Sequence, residues 1–147
     1  MTTEQGKDVM SIAETTIAAF NTNDWAQFRA ALAPDVVYQE TGTGRRAESA
    51  DAYLQLVKAW KQAFPDAIGT IRNVVANGNT VVHEVEWTGT QTGDLPAPAG
   101  VLPASGKQIA VLASLWYTVQ GDTIREVHHH LDIMTMMAQL GAIPAPS

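Results

Sequence analysis

The chain contains no cysteine in 147 residues, which excludes disulfides and thiolate metal sites. It is also short of charge. Only 16% of residues are Asp, Glu, Lys or Arg, against 46% apolar, a balance that excludes the disordered class. Basic residues number 9 and acidic ones 15, leaving a net charge of −6. Arg45-Arg46 is the one adjacent basic pair, so no cationic stripe exists and nucleic acid is not an expected partner. No apolar run approaches the roughly 20 residues that span a bilayer, and Glu4, Lys7 and Asp8 do not begin a secretory leader. Gly-rich phosphate loops, Ser nucleophile elbows and Cys nucleophiles are missing as well. These absences predict a cytoplasmic protein without a membrane partner.

What remains reads as one domain over residues 1–147. Val9, Ile12, Ala13, Thr16, Ile17 and Phe20 form one stripe of a first helix. Asp24, with Gln27 three residues on, caps a short second helix carrying Trp25, Phe28 and Leu32, which Pro34 ends. Residues 35–40 alternate as a strand. Ser49 caps a third helix with Tyr53, Leu56, Val57, Trp60, Ala63 and Phe64 along one face, stopped by Pro65. The period then changes to two: strands over 67–76 and 80–92 joined at Asn77-Gly78, a proline-rich loop over 93–106, then strands over 107–119 and 123–132. A short apolar helix from Ile133 to Leu140 closes the chain at Gly141. Three helices followed by a bent antiparallel sheet make an α+β architecture, and a curved sheet closed by helices leaves a deep pocket for a small apolar or aromatic organic molecule.

The stretch Glu126-Val127-His128-His129-His130-Leu131-Asp132 is the richest in chemistry. Residues two apart share a strand face, so Glu126, His128, His130 and Asp132 lie together, opposite Val127, His129 and Leu131. Four ionisable groups are costly to bury unless they line a cavity or pair with one another. Asp132, next to an apolar helix, is therefore a candidate acid/base with a raised pKa. Other readings stand beside it. Asp132 caps the helix at Ile133 as readily, and His128 and His130 also suit an exposed strand face. His-x-His-x-Asp offers three metal ligands without a fourth, so no metal is assigned. Glu84 and Glu86 share a face with Thr88, which fits an acid/base pair or a solvated face; His83, Val85 and Trp87 share the other. Tyr38 and Glu40 lie together on the first strand as pocket candidates. The four tryptophans suit either a core or a pocket for a flat ligand, and Met134, Met136 and Met137 read as soft packing.

Four segments carry a resemblance in order and spacing: Gly89-Thr90-Gln91-Thr92-Gly93, Pro103-Ala104-Ser105-Gly106-Lys107, Gly121-Asp122-Thr123-Ile124-Arg125-Glu126, and His130-Leu131-Asp132 running into Met137-Ala138-Gln139-Leu140-Gly141. Together, over roughly residues 80–143, they resemble the SnoaL-like polyketide cyclase (ester cyclase) family. The resemblance implies an NTF2-like cone, a homo-oligomer such as a homodimer, and no cofactor. It implies intramolecular aldol ring closure on a polyketide-like substrate, with Asp132 as base and His130 orienting it or donating to the alkoxide. Tyr38, Trp60, Phe64, Gln91, Trp116 and His128 are then the expected substrate contacts. Two departures stand out: Gln91 occupies a position where relatives carry His, and His130 one where they carry an aromatic. Epoxide hydrolysis, ketosteroid-isomerase-like chemistry on the same cone, and non-catalytic binding are the alternatives.

Overall fold

The computed structural model describes residues 8–97 and 100–144. Its elements follow local signals closely. Helix α1 (Val9–Thr22) ends at Asn23, whose φ of 59° puts it in the left-handed conformation that closes a helix. Helix α2 (Trp25–Ala30) starts where the Asp24 carboxylate accepts the Gln27 N–H, and α3 (Ala50–Ala63) where Ser49 accepts that of Ala52. Helix α4 (Ile133–Gln139) is capped in the same way by Asp132.

Six strands form the main sheet: β1 (Leu32–Thr41), β2 (Arg46–Ala47), β3 (Ile68–Asn77), β4 (Thr80–Thr90), β7 (Gln108–Gln120) and β8 (Thr123–Leu131), in the order β2-β1-β8-β7-β4-β3. The proline-rich loop folds part of itself into a small hairpin of β5 (Leu95–Ala97) and β6 (Gly100–Leu102).

Three details differ from the sequence expectation. The main sheet is mixed, because β1 pairs parallel to β8 while the other pairs are antiparallel. Pro34 lies inside β1 instead of before it, in the stretch between Leu32 and Val37 where the pairing register shifts. Such an irregularity tolerates a residue without an N–H. The hairpin loop after β3 is Gly78-Asn79, since Asn77 still pairs with Thr80, and Gly78 supplies the positive φ of 61°.

Helices α1, α2 and α3 pack on one face of this curved sheet. Alternation therefore decides burial strand by strand. On β4, Val81, His83, Val85 and Trp87 point into the core; on β7, Leu115, Tyr117 and Val119 do so. The other face is open, with Trp116 at 48% and Leu112 at 53% exposure.

Candidate functional site

A cavity opens between the helices and the sheet. Most of its wall is apolar or aromatic: Ile17 and Phe20 from α1, Tyr53, Leu56, Val57 and Trp60 from α3, Leu115 and Tyr117 from β7. Its polar wall comes from Tyr38, Glu40, Arg45 and His129, with Trp87 beside them.

These polar side chains are one connected row. Tyr38 and Glu40 are two apart on β1, so they share the inward face. Parallel pairing sets Glu40 beside His129 on β8. The turn after β1 contains Gly42 and Gly44, both at positive φ (99° and 75°), and folds Arg45 back so that its carbonyl accepts the Glu40 N–H. The Tyr38 hydroxyl hydrogen-bonds to Glu40 Oε2 and lies 2.9 Å from His129 Nδ1. Arg45 donates Nε to Oε1 at 2.9 Å and Nη2 to Oε2 at 3.2 Å, and the Thr43 hydroxyl donates to Oε1. The Trp87 indole N–H donates to His129 Nε2 at 3.2 Å.

Electrostatics fix the charge of each group. Burial acts to raise the Glu40 pKa, but the Arg45 hydrogen bonds and charge, His129 and Thr43 outweigh it and hold the carboxyl below its ordinary range. Glu40 is an anion paired to the Arg45 cation. Burial pushes His129 down to about 4, more than the nearby Glu40 charge restores. Burial also raises Tyr38 well above the ordinary phenol range, helped by the Glu40 charge. At neutral pH the row is a neutral imidazole and a neutral phenol beside an ion pair with no net charge.

The sequence profile of the SnoaL-like polyketide cyclase family matches residues 11–140. The chain belongs to the SnoaL-like polyketide cyclase family. Solved structures share the fold of this SnoaL-like chain at low identity. AclR from Streptomyces galilaeus, a candidate hydroxylase, superposes with a TM-score of 0.80 at 18% identity, over 95% of this chain and 84% of its own. IdmH from Streptomyces antibioticus, a candidate polyketide cyclase, gives 0.78 at 24%, over 91% and 99%. A protein of ketosteroid isomerase-like fold from Catenulispora acidiphila gives 0.75 at 16%, over 88% and 92%. No curated protein matches by sequence.

Within the SnoaL-like domain the polar wall is not the one the strand pattern suggested. The face of β8 turned to the cavity carries His129, with Val127 and Leu131 also buried. Asp132 and His130 are exposed on the opposite side. Asp132 accepts the Thr135 N–H and hydroxyl as the cap of α4, and His130 contacts the exposed Thr41 hydroxyl. The placement of Asp132 in dry packing is thus corrected. Solvating a row of four ionisable groups costs less than burying it, and one imidazole between Val127 and Leu131 is the cheaper group to bury.

The expected contacts divide. Tyr38 and Trp60 line the cavity. Phe64 is buried beneath Trp60, stacked at 4.6 Å. Gln91 is buried but spends its amide N–H groups on the carbonyls of Leu102 and Pro103, pinning the end of β6 rather than facing a ligand. Trp116 and His128 face each other across β7 and β8 on the outer surface, where His128 pairs with Glu126. Glu84 and Glu86 meet Asn73 and Arg72 on that same outer side. Among the described residues no group of three His, Asp or Glu side chains converges as a metal site, and no helix is long and apolar enough to cross a membrane.

Sequence reasoning missed His129, Arg45, Tyr53 and Tyr117. For His129 a signal existed: it alternates with Val127 and Leu131, apolar residues on both sides of it. For Arg45 the Gly-Thr-Gly turn was visible, but its return onto Glu40 was not.

Proposed function

We propose that this chain catalyses a cyclase-type carbon–carbon bond closure on an apolar, polyketide-like carbonyl substrate, with His129 as the proton-transfer group. The observation that carries the reading is the Trp87–His129–Tyr38–Glu40–Arg45 row on the wall of an otherwise apolar cavity. His129 Nε2 removes a proton from a carbon next to a carbonyl, and the indole N–H turns its hydrogen bond to the enolate oxygen while keeping its own proton. The enolate carbon attacks a second carbonyl, a C–C bond forms, and the resulting alkoxide takes the proton back from Nε2. Between these steps the imidazolium is stabilised by the Glu40 carboxylate, 3.7 Å from Nδ1, and by Tyr38. The aromatic wall holds the substrate folded with its reacting carbons close. No step needs a metal or an organic cofactor. Epoxide opening by an Asp-Arg-Asp arrangement is less suited, because among the described residues Glu40 is the one carboxylate on the wall.

The test is deuterium exchange at the carbons next to the carbonyl of 2-tetralone, a flat aromatic ketone, followed by NMR in deuterated buffer. Exchange faster than buffer alone, lost in His129→Gln and kept in Asp132→Asn, supports the reading. Exchange that survives His129→Gln but not Asp132→Asn overturns it. Binding of the ketone without accelerated exchange assigns the cavity to a binding module.

A further inference from the structure

The proton positions in the polar row follow from counting donors. The Tyr38 hydroxyl has one hydrogen, and the Glu40 carboxylate accepts it. His129 Nδ1, 2.9 Å from the same oxygen, must then be the donor of that contact. At the other end of the ring, an indole N–H donates and never accepts. Nε2, 3.2 Å from Trp87 Nε1, must therefore be the unprotonated nitrogen. Two independent contacts select one neutral tautomer, with the hydrogen on Nδ1 and the lone pair on Nε2.

The orientation of the indole is itself fixed from outside the cavity. Gly69 on β3 pairs directly with Trp87 on β4, and the ring lies over its Cα: a Cβ at position 69 would stand 2.6 Å from Trp87 Cζ3 and 3.1 Å from Cε3 and Cη2. The Gly69 backbone is clamped on both sides by one side chain. Asn21 Nδ2 donates to its carbonyl at 3.0 Å, and its N–H donates to Asn21 Oδ1 at 2.8 Å. Phe20, the residue before Asn21, meets the indole edge-on at 5.2 Å. The end of α1 thus grips the strand on which the indole rests.

We propose that Asn21 and Gly69 are positioning residues of this site, seating the Trp87 indole so that its N–H holds His129 in the Nδ1–H tautomer with Nε2 free of a proton. Its functional meaning rests on the assignment of His129 as the proton-transfer group; the tautomer itself does not. Neither residue itself lines the cavity. Their effect reaches it through one ring rotation, and any larger side chain at 69 must lift the indole away from Nε2.

The experiment is long-range ¹H–¹⁵N NMR of the histidine rings in the full ¹⁵N-labelled chain at pH 7, with His129 assigned through His129→Gln. The expected wild-type pattern is a single neutral tautomer, Nδ1 protonated and Nε2 not, with the Trp87 indole N–H shifted downfield by its hydrogen bond. In Gly69→Ala that N–H loses its downfield shift and the His129 nitrogens move toward each other as a second tautomer appears. Asn21→Ala moves the same signals in the same direction by less, and carries the test if Gly69→Ala does not fold. Trp87→Phe removes one of the two contacts and gives the largest shift of the series, while the Tyr38–Glu40 contact still favours the proton on Nδ1. A wild-type proton on Nε2 overturns the proposal, as do folded Gly69→Ala and Asn21→Ala proteins with both sets of signals unchanged. If the tautomer shifts while 2-tetralone exchange does not slow, the positioning stands and the role of His129 as base fails.

Discussion

His83 gives the sharpest quantitative test of how this core is built. It is fully buried on the inner face of β4, edge-on to Tyr117 at 4.9 Å, and neither ring nitrogen has a hydrogen-bond partner among the described residues. Burial alone pushes its pKa from the ordinary 6.5 down to about 4. The fold accepts only the neutral ring, whereas the unfolded chain takes up a proton as the pH drops past 6.5. The associated stability is therefore complete above that value, is lost as the pH falls, and levels off once the pH is below about 4. Between pH 7 and pH 5 the loss is about 2 kcal/mol, and in full about 3 kcal/mol. His83→Phe keeps the ring and its contact with Tyr117 while removing both orphan nitrogens and the titration. Urea unfolding followed by tryptophan fluorescence, at pH 7 and pH 5, reads the effect. His129 titrates similarly in both proteins and cancels in the difference. The variant should match or exceed the wild type at pH 7, since two unsatisfied polar atoms disappear, and should lead it by about 2 kcal/mol more at pH 5. A difference independent of pH would refute the argument and mean that the ring finds a proton partner in solution.

Other consequences are as direct. Arg45→Met leaves the Glu40 carboxylate buried without its cation, since its side chain is only 3% exposed; a stability loss of roughly 3 kcal/mol in urea is expected, and an unchanged midpoint would show that the pair is dispensable. Asp132→Ala removes the α4 cap and should cost about 1 kcal/mol without slowing ketone exchange, so a variant of unchanged stability that has lost exchange would restore Asp132 to the chemistry. With His129 as base, the exchange rate should be level at neutral pH and fall as the pH approaches about 4; a rate that falls well above that value excludes His129 as the base. The expected homodimer would cover the open sheet face, so Trp116→Glu should halve the mass seen by light scattering, and a monomeric wild type removes that expectation.

Much of this molecule was legible in its sequence. Asp24, Ser49 and Asp132 announced helix starts, and alternation correctly grouped Tyr38 with Glu40 and Glu126 with His128, His130 and Asp132. Caps and faces depend on neighbours within four residues, so local chemistry is enough to specify them. The family resemblance carried by residues 89–93, 103–107, 121–126 and 130–141 agrees with the family match over 11–140.

Which face turned inward was settled by the tertiary structure. Period two assigns residues to two sets without saying which set meets the helices, and a shift of one residue exchanges them. On β8 the outcome followed total solvation cost: one imidazole beside two apolar residues went in, and four ionisable groups stayed out. The row that makes the candidate site needed more still. Tyr38 and His129 are 91 residues apart, and only the parallel pairing of β1 with β8 brings their rings together. The sequence by itself determined the elements, their caps and the membership of each face. The packing of α1, α2 and α3 on one side of the sheet decided that His129, and not Asp132, looks into the cavity, because burial is a property of the whole assembly of elements and not of any one strand.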